Sequence, residues 1–173
     1  MPSAEARKLP EGAREILECR WEGTARYRYA DHMVVTSRGF NLPTAQEAAL
    51  KLMETSYVPA QPFSEADLRH GPLAMVTEDF PVFVIVPPGR ARASVASLVD
   101  TLNERGAELV VMDEDGGTLE KASASFRVPA SVPEELSPIL YAIPPQLFAH
   151  DLSASRGLDP DSPRGLSKVT ESW

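Results

Sequence analysis

Cysteine is almost missing from this chain of 173 residues. Cys19 is the only one, so no internal disulfide is available and a reducing compartment, the cytoplasm, is the expected setting. Cys19 lies in a charged segment without a surrounding motif, which makes a catalytic thiol a poor reading of it. No apolar run approaches the ~20 residues that span a bilayer. The opening MPSAEARKLPEGAREILECR has no apolar stretch of the kind a secretory signal needs. Positive charge is also scarce. Lys and Arg number 17 against 25 Asp and Glu, a net charge of -8, which opposes binding to nucleic acid or an anionic membrane. An anionic small molecule remains admissible, because a few local donors suffice to hold a phosphate. Internal repeats and low-complexity tracts are absent. With 43% hydrophobic and 24% charged residues, the chain has the makeup of one globular domain.

The segment over residues 1–26 is charged and reads as an extension, with a short helix over residues 11–20 as its one element. In HMVVTSRGF the run Met33-Val34-Val35 reads as a buried strand that ends in Ser37-Arg38-Gly39. Pro43 then opens the helix TAQEAALKLMETS, a suitable place for proline. Residues 57–61 read as a short strand piece. PVFVIVPPG is a two-sided apolar strand stopped by Pro87-Pro88-Gly89, and AELVVMD is a second. ASVASLVDTLNERG is a helix closed by Gly106. SASFRVP is a shorter strand. Residues 134–155 have helical apolar spacing, with a kink expected at Pro144-Pro145. Alternating strands and helices predict an α/β sandwich: a parallel sheet of four or five strands, covered on both faces, with residues 82–86 and 109–112 at its centre. In such sheets ligands collect beyond the C-terminal strand ends.

The helix after Pro43 carries the most informative pattern. Glu47, Lys51 and Glu54 fall in a stripe about 60° wide, while apolar residues cover the rest of the wheel. A solvated Glu-Lys pair would explain the stripe and would contribute only about 0.2–0.5 kcal/mol. Periodicity alone favours that pair; the functional alternative is a carboxylate and an ammonium that tune each other at the wall of a polar cavity. His70 sits in Arg69-His70-Gly71-Pro72, where Gly and Pro force a turn, so its imidazole belongs to a loop. His32 and His150 are weaker candidates. Ser37-Arg38-Gly39 offers backbone donors at a helix start but lacks a full phosphate-loop pattern. Lys168, in the tail, would pass unnoticed if taken alone.

Taken together, TAQEAALKLMETSYVPAQPFSEADLRHGPLAMV, PVFVIVPP and the closing PRGLSKVT resemble the second sugar-isomerase (SIS) domain of glutamine-fructose-6-phosphate aminotransferase and its deaminase relatives. The resemblance covers residues 31–173. It implies a three-layer, flavodoxin-like α/β fold for one SIS domain over residues 27–173, with a C-terminal active-site tail. It also implies a phosphorylated sugar, fructose 6-phosphate or glucosamine 6-phosphate, as substrate. By this resemblance Glu54 is the carboxylate that moves a proton between C1 and C2, and His70 is the histidine of ring opening. Lys168 is the lysine that forms a Schiff base with the ketose. Lys51 and Glu47 match supporting polar positions of the same helix, and Ser37 and Arg38 belong to the strand-end loop.

No metal or cofactor is expected. The chain begins Met1-Pro2-Ser3 without a glutaminase domain, so glutamine hydrolysis is not expected of it. The family's phosphate cradle belongs to the first SIS domain. This chain is therefore expected to form a homodimer or to pair with another SIS domain, with His70 contributed from a neighbour. A phosphosugar-binding module without turnover is the alternative. Glu54, His70 and Lys168 are expected to meet in one cleft at the C-terminal edge of the sheet.

Overall fold

The computed structural model describes residues 3–129 and 132–165. Five strands form one sheet: β1 (Met33–Ser37), β2 (Ala60–Ser64), β3 (Pro81–Ile85), β4 (Glu108–Asp113) and β5 (Ala124–Arg127). Their order is β2-β1-β3-β4-β5 and every pairing is parallel. The helices are α1 (Leu9–Glu18), α2 (Leu42–Thr55), α3 (Glu65–Arg69), α4 (Arg92–Glu104), α5 (Gly116–Leu119), α6 (Ser137–Tyr141) and α7 (Ile143–Ser155).

The alternation of side chains along each strand divides the core in two. Val82, Val84, Leu109 and Val111 face a cluster with Val95, Leu98, Val99 and Leu102 of α4. Phe83, Ile85, Val110 and Met112 face the opposite cluster, with Ala45, Ala48, Ala49 and Leu52 of α2 and Phe148 and Leu152 of α7. The sheet is thus the middle layer of three. The parallel sheet, expected with four or five strands, has five, and the two strands expected at its centre are buried. The alanines of α2 let α7 come close. Ser56 Oγ donates to the Ala149 carbonyl and Ser153 Oγ to the Thr55 carbonyl, both at 2.9 Å, which ties the C-terminal end of α2 to α7.

Three local expectations need correction. The segment before Arg26 is packed into the domain. Ile16 and Trp21 are buried, and Trp21 lies edge-on to Phe83 and Phe148. Charge count hid this, because Ile16, with Leu9 and Ala13 packed beside it at helical spacing, is enough to dock an otherwise polar helix, and Trp21 follows that helix into the core. The strand expected at residues 57–61 starts only at Ala60, since Tyr57 has left-handed backbone, φ 53, which no strand accommodates. The long helix over residues 134–155 is two helices. Pro144 and Pro145 open α7 in its first turn, where a missing N–H costs nothing, and so they start a helix instead of bending one.

Candidate functional site

Helix α2 leaves the C-terminal end of β1 and must return to the start of β2. Its 14 residues run back along the sheet, and at about 1.5 Å per residue they cover the length of a strand. Glu54, its penultimate residue, therefore stands at the N-terminal edge of the sheet, near the Met33–Ala60 pairing. Ser37 and Arg38 lie at the opposite, C-terminal edge. The expectation that Glu54 belongs to a cleft at the C-terminal edge is overturned by this return. A loop-based rule for ligand sites applies to residues that follow strands, and Glu54 precedes one.

At the end of α2 the ionic stripe is real. Lys51 Nζ donates to Glu54 Oε2 at 2.7 Å and lies 3.6 Å from Glu47 Oε1. The side chains of Glu47, Lys51 and Glu54 are 37%, 31% and 29% exposed, so the group is neither core nor free surface. The hydrogen bond to Glu54, aided by the charge of Glu47, holds the Lys51 ammonium above the ordinary lysine range despite partial burial. Lys51 is thus a fixed cation beside a carboxylate, unsuited to be a neutral nucleophilic amine. Next to this stripe, Leu50 and Met53 are exposed at 42% and 41%. The helix is apolar nearly all round, as its sequence indicates, but only one apolar side is covered.

A residue that sequence reasoning passed over joins this end of the domain. Tyr57 accepts the backbone N–H of Arg164 on its phenol oxygen at 2.6 Å, and the Arg164 guanidinium lies 5.1 Å from its ring centroid. The chain after α7 is thereby brought back to the end of α2. Lys168 itself lies outside the described residues. His70 is exposed just after α3, which follows β2, so it starts from the other edge of the sheet. Glu54 and His70 of one chain come from opposite strand ends. The His32 ring lies tilted against Phe80, centroids 4.6 Å apart, and His150 pairs with Asp151 at 3.0 Å. Cys19 Sγ donates to the Glu15 carbonyl at 3.3 Å.

The C-terminal edge holds a second polar group, but its members satisfy one another. Ser37 is buried, and its hydroxyl donates to the Ile85 carbonyl at 2.8 Å. Arg38 donates to the buried Glu65 at 2.6 Å and to Ser94 Oγ at 3.2 Å, while Arg69 pairs with the same Glu65. Burial alone would push the Glu65 carboxyl up. Hydrogen bonds from Arg69, Ser94 and Arg38 outweigh that and hold it below the usual carboxylate range. Asp113, fully buried at the end of β4, receives Arg92 in a fork at 2.5 and 3.0 Å and Thr118 Oγ1 at 2.5 Å. The Asp113 hydrogen bond raises the Arg92 guanidinium further above its already high range. Tyr141 donates to Glu114 at 2.9 Å, and burial, with that carboxylate, drives its phenol far up. Glu134 accepts the Arg90 backbone N–H at 2.9 Å, in space that a Cβ on Gly89 would occupy. These pairings could not be read from sequence, since the partners lie up to 56 positions apart.

Among the described residues, no group of three or more His, Cys, Asp or Glu side chains is placed to hold a metal ion. No described helix is long and apolar enough to cross a membrane.

Comparison with known proteins fits this arrangement. The glutamine–fructose-6-phosphate aminotransferase of Pyrococcus horikoshii is 40% identical over 131 residues, covering 76% of this chain and 22% of the relative. That of Acidithiobacillus ferridurans is 39% identical over 168 residues, covering 94% of this chain and 27% of the relative. The chain spans roughly a quarter of the length of these curated relatives. Among solved structures, the C-terminal domain of glucosamine-fructose-6-phosphate aminotransferase from Francisella tularensis is similar with a TM-score of 0.70 at 23% identity, over 90% of this chain and 42% of that one. Glucosamine-6-phosphate deaminase from Thermotoga maritima gives 0.65 at 24% identity, over 95% and 46%. At these identities both speak to the fold, the same parallel sheet flanked by helices. The sequence profile of the SIS domain matches residues 27–156, from the 3-10 turn before β1 to the end of α7, and so the chain belongs to the SIS domain family.

Proposed function

We propose that this chain is the isomerase half of a sugar-phosphate-processing module that interconverts ketose and aldose 6-phosphates through an enediol. Fructose 6-phosphate is the substrate of the isomerase in this reading; glucosamine 6-phosphate is the substrate if the domain is a deaminating isomerase, where water hydrolyses the C2 imine and ammonia leaves. Glu54 takes the proton beside the carbonyl and returns it to the neighbouring carbon. Lys168 adds to the ketose C2 with loss of water, and hydrolysis of that imine returns the free amine and the open-chain ketone before the proton transfer. His70 of a second copy, or of another SIS domain, serves ring opening at the ring oxygen. The observation that carries the reading is the Glu47–Lys51–Glu54 group, one-third exposed at the end of α2 where Arg164 returns the tail. A carboxylate held by a fixed ammonium, and open on one side, suits repeated proton transfer to a bound ligand. The exposed Leu50 and Met53 beside it support a second SIS domain as the missing wall and the source of a phosphate cradle. A cytoplasmic location belongs to the same reading.

A phosphosugar-binding module without turnover is the second reading. It is favoured by the C-terminal edge, where Ser37 and Glu134 of this chain already engage strand-end groups. Incubation with fructose 6-phosphate in deuterated water separates the two. The isomerase exchanges the proton at C1 or C2, seen by NMR, and Glu54→Gln stops the exchange while calorimetry still detects binding. Binding without exchange in the unaltered protein establishes the module. No binding at millimolar sugar phosphate refutes both.

A further inference from the structure

Helix α2 ends in a way that Gly or Asn ordinarily serves. Ser56 N–H donates to the Leu52 carbonyl at 3.2 Å, Val58 N–H reaches the same carbonyl at 3.2 Å, and the residue between them has φ +53. That residue is Tyr57. A bulky side chain in left-handed backbone is strained by about 1–2 kcal/mol, and glycine would relieve it. In return the phenol makes two contacts with one distant residue: its oxygen accepts the Arg164 N–H at 2.6 Å and its face lies under the Arg164 guanidinium. The contact joins positions 107 apart. Other contacts bring the chain to the same end of the sheet: Ser153 to the Thr55 carbonyl, and Arg156 Nη1 to the Arg28 and Ala30 carbonyls at 3.0 and 3.1 Å.

We infer that Tyr57 is a positioning residue, an anchor that returns the C-terminal segment to the Glu54 end of α2. Tyr57 follows Glu54 by three residues, and Lys168 follows Arg164 by four. Four residues span at most ~14 Å, so an anchored Arg164 keeps the lysine within a short radius of the α2 terminus. Without the anchor, the segment beyond α7 is tethered only at its start, and the effective concentration of the lysine at Glu54 falls. The role of Lys168 rests on the function proposed above. The anchor itself does not.

The test uses the full chain. Trypsin cuts after Arg164, the residue held by Tyr57. Tyr57→Gly is expected to keep or raise the thermal midpoint, because strain is relieved, and to speed cleavage at Arg164 about tenfold, the scale of one hydrogen bond plus one exposed cation–π contact. Tyr57→Phe keeps the ring and backbone geometry, loses the acceptor, and gives a smaller increase. Unchanged Arg164 cleavage in both variants overturns the anchor. Borohydride trapping of Lys168 with fructose 6-phosphate then reads positioning. Faster cleavage with weaker trapping supports the whole inference, and faster cleavage with undiminished trapping overturns the positioning role. If the unaltered protein traps nothing while Arg164 cleavage still responds to Tyr57, the anchor stands and the Schiff-base reading of Lys168 falls.

Discussion

The Trp21 indole N–H donates to the Pro144 carbonyl at 2.6 Å, joining the segment before the SIS match to the first turn of α7. The ring also lies 5.3, 5.2 and 5.0 Å from Phe83, Phe126 and Phe148. Trp21→Ala should therefore destabilise the domain by about 3–5 kcal/mol in urea unfolding, as for a large core aromatic. A loss below about 1 kcal/mol would mean that the segment is not part of the cooperative unit.

Glu65 supplies a pH-dependent term. Its folded-state pKa is depressed, so its contribution is present above the ordinary carboxylate range and is lost as pH falls through the folded value. Glu65→Gln should cost about 1–3 kcal/mol at pH 7, the scale of hydrogen bonds to charged groups. The gap between wild type and variant should shrink as pH falls below the ordinary carboxylate range and close once the folded Glu65 is protonated, read in denaturant titrations. A gap independent of pH would remove the ion pairs to Arg38 and Arg69 as its source.

Thr36 sits in the central part of the sheet, fully buried, and its hydroxyl has no partner among the described residues. Thr36→Val keeps the shape and removes the unsatisfied group. The expected result is a gain of about 1 kcal/mol, read as a higher thermal midpoint. A loss of that size would show that the hydroxyl is hydrogen-bonded in solution.

Lys51 should react slowly with acetic anhydride at pH 8. Its hydrogen bond to Glu54 keeps it protonated more than an unpaired lysine, and mass spectrometry should find it modified several-fold more slowly than Lys8. Glu54→Gln should narrow that difference. Equal rates in the unaltered protein would mean that the ion pair does not persist in water.

Pairing through the uncovered side of α2 is tested by Met53→Glu. Light scattering should show the unaltered chain as a dimer or larger and the variant shifted toward monomer, since a carboxylate there would have to be desolvated. A monomeric unaltered protein at working concentration would count against self-association and leave pairing with another SIS domain as the remaining route.

Much of the fold was legible in the linear sequence. Short, β-branched apolar runs such as PVFVIV and AELVVMD read as strands buried on both faces, and helices between them point to a parallel sheet. The stripe of Glu47, Lys51 and Glu54 follows from 3.6-residue periodicity alone, and its ion pairs formed as the spacing implies. The family was legible because its motifs are short and local.

What sequence by itself did not determine is everything that depends on which strand end a residue occupies and on what meets it across the fold. Glu54 lies at the N-terminal edge because α2 must span back to β2, a matter of path length. Trp21, Tyr57 and Glu134 look ordinary in the linear chain. Their partners, Pro144, Arg164 and Arg90, become neighbours only after the sheet has ordered the chain, since contact energies depend on distance in space and not on separation in sequence.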